Sequence, residues 1–71
     1  MIKLIRIKVA KEDYEKVCRL MKQHHVSGIE VTSSERSKLI KFCCNIFKSK
    51  KIKHDLELAI ELGIGAKFEV L

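Results

Sequence analysis

The chain opens with IKLIRIKV, residues 2 to 9, in which Ile5, Ile7 and Val9 alternate with Arg6 and Lys8. This period of two predicts a β-strand that buries one face and exposes the other. Five further periodic segments follow, and together the six segments have the order βαββαβ. That order is the split-βαβ, or ferredoxin-like, arrangement. We therefore predict an α+β fold, in which a four-stranded antiparallel sheet carries two helices on one face.

The first half of the chain supplies a helix and a short strand. Residues Lys11 to His25 carry an apolar stripe at helical spacing, with Tyr14, Val17, Cys18 and Met21 at i, i+3, i+4 and i+7. The helix is expected to break at Val26-Ser27-Gly28, where Gly28 can adopt the left-handed conformation that such exits often need. Ile29 and Val31 then alternate with polar residues and predict the second strand.

The second half supplies a strand, a helix and a closing strand. Ser33 to Arg36 is the predicted turn, and the third strand is expected from about Lys38 to Phe47. Lys48 to Lys53 is a basic run that enters the second helix, whose C-terminal cap is predicted at Gly63. Ala66 to Leu71 closes the sheet. The predicted core combines one face of each element: Ile5, Ile7, Val9, Val17, Leu20, Met21, Ile29, Val31, Ile40, Phe42, Cys44, Leu56, Ile60, Phe68 and Val70.

Length and composition limit the classes of protein. The 71 residues predict a single domain spanning 1–71, and so small a domain often gains stability by oligomerisation. No apolar run is long enough for a membrane span. Lysine and arginine interrupt the first strand, so it does not resemble a signal peptide. Three cysteines without a CxxC pair indicate free thiols, which are typical of a reducing, cytoplasmic location.

The charge balance favours an anionic partner. Fifteen Lys and Arg against nine Asp and Glu give a formal net charge of +6. Such an excess suits nucleic acid, a phosphate-bearing ligand or an acidic surface, although it also serves solubility alone. No catalytic motif is present, so we predict a non-enzymatic protein without a cofactor. Cys43, beside Lys41, is the one candidate for a reactive thiol. His24 and His25 lack the ligand spacing of a zinc site, and no metal site is predicted.

The basic run is the sharpest functional hint in the sequence. Lysines at a helix start oppose the helix dipole, yet together with free backbone N–H groups they form an anion site. A solvated lysine cluster is the equally weighted alternative. The predicted anion-binding residues are Lys48, Ser49, Lys50, Lys51 and Lys53.

The sheet face turned away from the helices is the second candidate surface. Its central strands carry no aromatic residue at mid-face, which argues against RNA binding by base stacking on the sheet. A mixture of aliphatic and charged side chains suits a subunit interface better, and the same cations could instead contact phosphates. The residues predicted for either role are Leu4, Arg6, Lys8, Leu39 and Lys41.

Four segments carry a resemblance to a known family: Met1 to Ile7, Val26 to Thr32, Ser37 to Asn45, and Gly63 to Val70. With these segments in place the chain resembles the PII-like signalling proteins and their trimeric relatives, such as the CutA group. It lacks their long loop between the second and third strands. The resemblance implies assembly through the sheets and an anion cleft between subunits. ACT-type regulatory domains and small cytosolic domains of transporters share the same topology.

Two functions therefore stand as hypotheses. The leading one is a small non-enzymatic, PII-like regulatory or ligand-binding domain that forms a homo-oligomer, trimer or dimer, through its sheet and binds an anion. The alternative is a basic nucleic-acid-binding protein that acts through phosphate contacts, with affinity that falls steeply as salt rises.

Overall fold

A computed structural model describes all residues from 1 to 71 and confirms the predicted ferredoxin-like arrangement. The elements are β1 (Ile2–Ala10), a 3-10 turn (Lys11–Asp13), α1 (Tyr14–Gln23), β2 (Glu30–Ser33), β3 (Ser37–Asn45), α2 (Ile46–Glu61) and β4 (Ala66–Val70). The strands form one antiparallel sheet in the order β2-β3-β1-β4.

The core lies between one face of the sheet and both helices. Ile5 of β1 pairs with Phe42 of β3, and Ile7 pairs with Ile40, so the apolar face predicted by the alternation is continuous across the two central strands. All four of these side chains are at most 2% exposed. The other fully buried core members come from β1 and from the two helices: Val9, Val17, Met21, Ile52 and Leu56.

The predicted core is wrong at β2 and at Ile29, the residue before it. Ile29 and Val31 are 40% and 42% exposed, although Val31 pairs with the buried Ile40 and shares its face of the sheet. The reason is position, because β2 is the edge strand beyond β3 and every one of its residues is exposed. Five other predicted core residues are half-buried: Leu20, Cys44, Ile60, Phe68 and Val70.

The predicted end of the third strand is also wrong. β3 ends at Asn45, and Ile46 and Phe47 form the first turn of α2 instead of continuing the strand. Asn45 caps the helix: its backbone is extended, and its side-chain oxygen accepts a hydrogen bond from the Lys48 N–H at 2.8 Å. Such a cap satisfies one of the donors that a helix start leaves free. The cap therefore overrides the strand-like alternation.

Both helices end in the same motif. After α2, the Gly63 N–H donates to the Ile60 carbonyl and the Ile64 N–H to the Ala59 carbonyl, with Gly63 at φ 108°. This Schellman arrangement confirms the cap predicted at Gly63. α1 ends through the same two bonds, but there His25 takes the left-handed position at φ 54°. The predicted exit glycine, Gly28, is also left-handed at φ 67°, three residues beyond the cap.

Candidate functional site

The surface that we call the open sheet face consists of the side chains on β1, β2, β3 and β4 that point away from the helices. Its central row runs across all four strands, with Glu30 opposite Lys41, Lys41 opposite Arg6, and Arg6 opposite Glu69. Arg6 forms an ion pair with Glu69, and Lys41 lies 3.5 Å from Glu30. Two of the cations predicted for this face are thus neutralised within the chain.

The row beside the central row, formed by Leu4, Cys43 and Leu71, is apolar. Leu4 pairs with Cys43 on one side, and on the other its backbone exchanges two hydrogen bonds with Leu71. Leu4 is half-buried, Cys43 is exposed, and Leu71 is 55% exposed. This row and the exposed Leu39 on the far side of the ion pairs give the open sheet face its apolar character.

The row on the other side of the ion pairs brings together cations that the sequence predicts on one face but does not pair. Lys8 lies opposite both Leu39 and Lys67, so two lysines face each other directly across β1 and β4. Like charges in that position destabilise a sheet. Lys8, Lys67 and Arg36 line one cleft of about 420 Å³ at the end of the sheet, and none of the three belongs to an ion pair of the chain.

Arg36 and Lys67 are absent from the predicted site. The register between β1 and β4 places Lys67 opposite Lys8, and the β2–β3 turn brings Arg36 to the same cleft. A local signal existed for Lys67 alone, because its alternation with Phe68 and Val70 predicts that it shares the exposed sheet face with Lys8.

The predicted anion-binding run is only partly convergent. Lys48 and Lys51 line a cleft of about 340 Å³ between the end of α1 and the start of α2, together with His25 and Phe47. Ser49 is buried, and its hydroxyl donates to the Ile46 carbonyl at 2.8 Å. Lys50 and Lys53 are exposed and do not line this cleft. The backbone N–H of Lys48 is already bound by Asn45, which leaves fewer free donors at this helix start.

The cysteines and histidines occupy separate environments. Cys43 is exposed on the open sheet face, whereas Cys44 is half-buried on the core side. Burial raises the pKa of the Cys44 thiol, the Lys48 ammonium partly opposes the shift, and neighbouring Cys43 adds to it. His24 Nε2 lies 2.6 Å from an Asp55 carboxylate oxygen and links α1 to α2. No group of three or more His, Cys, Asp or Glu residues comes together as a metal site.

Comparison with known proteins finds a match in structure alone. No protein-family model matches the sequence, and no curated protein matches it significantly. Among solved structures, the crystal structure of a candidate PII-like signalling protein from Thermus thermophilus superimposes with a TM-score of 0.87. The match covers 99% of this chain and 83% of that chain at 12% sequence identity.

The structure also bears on the membrane prediction. None of its helices combines the length and the apolar character that crossing a membrane requires.

The structural match confirms the resemblance predicted from the four sequence segments at the level of fold. This chain therefore has the ferredoxin-like fold of the matched PII-like signalling protein, and residues 34 to 36 alone join its second and third strands.

Proposed function

We propose that the chain is a non-enzymatic, PII-like regulatory domain that self-associates through its open sheet face and binds an anion at the edge of that face. The observation that carries the proposal is the central row of paired charges, Glu30 with Lys41 and Arg6 with Glu69, flanked by exposed aliphatic side chains. Interface cores are depleted of charged residues, and in the central row the charges already offset each other within the chain before any partner arrives.

The small size of the domain supports association. Its core contains ten buried apolar residues, and domains of this length commonly gain stability from a partner. Covering Leu39 and Leu71 removes further apolar surface from water, which is favourable by about 25 cal/mol for each Å². A second copy of the same face supplies a surface of matching apolar character.

Sedimentation equilibrium on paired variants tests the assembly. Leu39→Glu places a charge on the open sheet face and is expected to shift the protein towards monomer. Val31→Glu is the matched control, because Val31 is 42% exposed against 40% for Leu39 and lies on the adjacent strand but on the opposite face. A strict monomer for the unmodified chain, or equal effects of both changes, would refute assembly through this face.

Anion binding is proposed for the cleft that Lys8, Lys67 and Arg36 line. The directly opposed lysines repel each other and neither forms an ion pair within the chain, although Glu69 lies beside them; a phosphate-like group would relieve that repulsion. The alternative location, predicted from the sequence, is the lysine run of α2, where Lys48 and Lys51 share a cleft.

Thermal unfolding in phosphate separates these two locations. A bound anion raises the melting temperature by mass action. We expect Lys8→Gln with Lys67→Gln to abolish the rise, and Lys48→Gln with Lys51→Gln to retain it. The reverse result would place the site on α2, and a rise of equal size in both double variants would refute both locations.

Nucleic-acid binding through charge is the weaker alternative. Its support is the net charge of +6, but Arg6 and Lys41 are already paired with carboxylates. Phe47, the last residue of the predicted third strand, belongs to α2 instead and adds no aromatic residue to the open sheet face. Retention of RNA or DNA at low salt that weakens steeply as salt rises would favour this alternative.

A further inference from the structure

α2 has a second apolar stripe that points away from the core. Its buried side is formed by Ser49, Ile52, Leu56 and Ala59. At about 100° per residue, Phe47, Leu58 and Leu62 fall within about 60° of one another and roughly 130° from the centre of the buried side, with Lys51 between Phe47 and Leu58 on the same side. They are 74%, 44% and 87% exposed. Leu58 and Leu62 also border a groove between α1 and α2 that includes Leu20, so the stripe is continuous with half-buried apolar surface.

The charges beside this stripe are segregated along the helix. Lys50, Lys51 and Lys53 occupy the N-terminal half, whereas Glu57 and Glu61 occupy the C-terminal half. None of these five side chains belongs to an ion pair within the chain. The order is also opposite to the one that the helix dipole favours, with no acidic residue in the first turn and no basic residue in the last.

A second copy of α2 in antiparallel orientation complements both the apolar stripe and the segregated charges of the first. When Phe47 lies opposite Leu62 of the second copy, a two-fold axis passes between His54 and Asp55. Lys50 and Lys51 of each copy then lie near Glu57 and Glu61 of the other. Two-fold interfaces are self-complementary in this way, because residue i contacts j and j contacts i. The same register covers both ends of the stripe, which are about 22 Å apart at 1.5 Å per residue.

We propose that the outer face of α2, defined by Phe47, Leu58 and Leu62 with their flanking charges, is a docking surface for the α2 helix of a second copy of this chain. This contact is separate from the open sheet face and does not depend on it, because the two surfaces lie on opposite sides of the molecule.

Charge exchange tests the proposal. One variant carries Lys50→Glu and Lys51→Glu, and the other carries Glu57→Lys and Glu61→Lys. Each alone places like charges opposite each other in the antiparallel pair, so its self-association should weaken by about tenfold or more. Mixed together, the two variants restore opposite charges on both sides of the two-fold axis. The mixture should therefore form a heterodimer as readily as the unmodified chain forms its homodimer.

Sedimentation velocity measures this association on the full chain carrying Leu39→Glu, so that sheet-face contacts do not obscure it. Circular dichroism of each variant verifies folding, and Leu62→Glu serves as an uncompensated control that mixing cannot rescue. Recovery of the dimer only in the mixture supports the proposal. The proposal would be overturned if the Leu39→Glu chain is monomeric, if the charge exchanges leave association unchanged, or if the mixture remains monomeric.

Discussion

Truncating Phe42 should remove a large part of the stability of this domain. Phe42 is 2% exposed and pairs with Ile5 at the centre of the sheet, beneath both helices. Phenylalanine-to-alanine changes at such sites cost about 3–5 kcal/mol, from lost transfer energy and the cavity left behind. A chain of 71 residues has a total stability of roughly 4–11 kcal/mol at about 0.05–0.15 kcal/mol per residue. Phe42→Ala should therefore remove between about a quarter and all of it.

Phe47→Ala is the matched control, because it deletes the same atoms from a side chain that is 74% exposed. Exposed substitutions usually change stability by no more than about 0.5 kcal/mol. Urea unfolding followed by circular dichroism, at protein concentrations low enough to keep the chain monomeric, should show a large fall in midpoint for Phe42→Ala. The fall in melting temperature should exceed about 10 °C, at roughly 4–8 °C per kcal/mol. Equal effects of the two changes would refute the assignment of β3 and its buried face.

Three further predictions concern local features. His25→Gly should stabilise the domain by about 0.5–1 kcal/mol in urea unfolding, because glycine carries no steric cost at the left-handed cap of α1; a loss of stability would contradict that cap. Asn45→Ala should cost about 1 kcal/mol in the same assay, because the Lys48 N–H loses its acceptor, whereas Asn45→Asp should retain most of it. Iodoacetamide should alkylate Cys43 before Cys44. Burial raises the pKa of Cys44, so the folded state holds that thiol proton more tightly than the unfolded state. The stability that this proton provides is present below the ordinary thiol pKa and is lost as pH rises through the raised value. Unfolding of the unmodified chain and of Cys44→Ala across that pH range can verify it, because the variant should lack this loss.

The sequence determined the parts of the fold whose signals are local. The alternation of Ile5, Ile7 and Val9 with Arg6 and Lys8 specified the buried face of β1. The stripe containing Val17 and Met21 specified the inward side of α1. In each case one residue period repeats over several turns or pleats, so that neighbouring residues in the chain carry the whole pattern. The order of six such segments was then enough to predict the topology.

The candidate site needed the register between strands. Lys8 and Lys67 are 59 positions apart by their numbers, yet they are paired across β1 and β4, and Arg36 reaches the same cleft from the β2–β3 turn. Arg6 and Lys41 looked like free cations until the register placed Glu69 and Glu30 beside them. A period of two predicts which face a residue occupies, but it contains no information about which residue lies opposite.

Tertiary structure also decided where regular patterns stop and which apolar residues are covered. Ile46 and Phe47 continue the alternation of β3, but the cap at Asn45 turns them into α2 and leaves Phe47 on its outer side. Val31 has the alternation of a buried strand, yet it lies at the sheet edge and remains exposed. A pattern in the chain shows that a residue can be buried. Whether it is buried depends on which distant element packs over it, because burial is a property of the assembled layers.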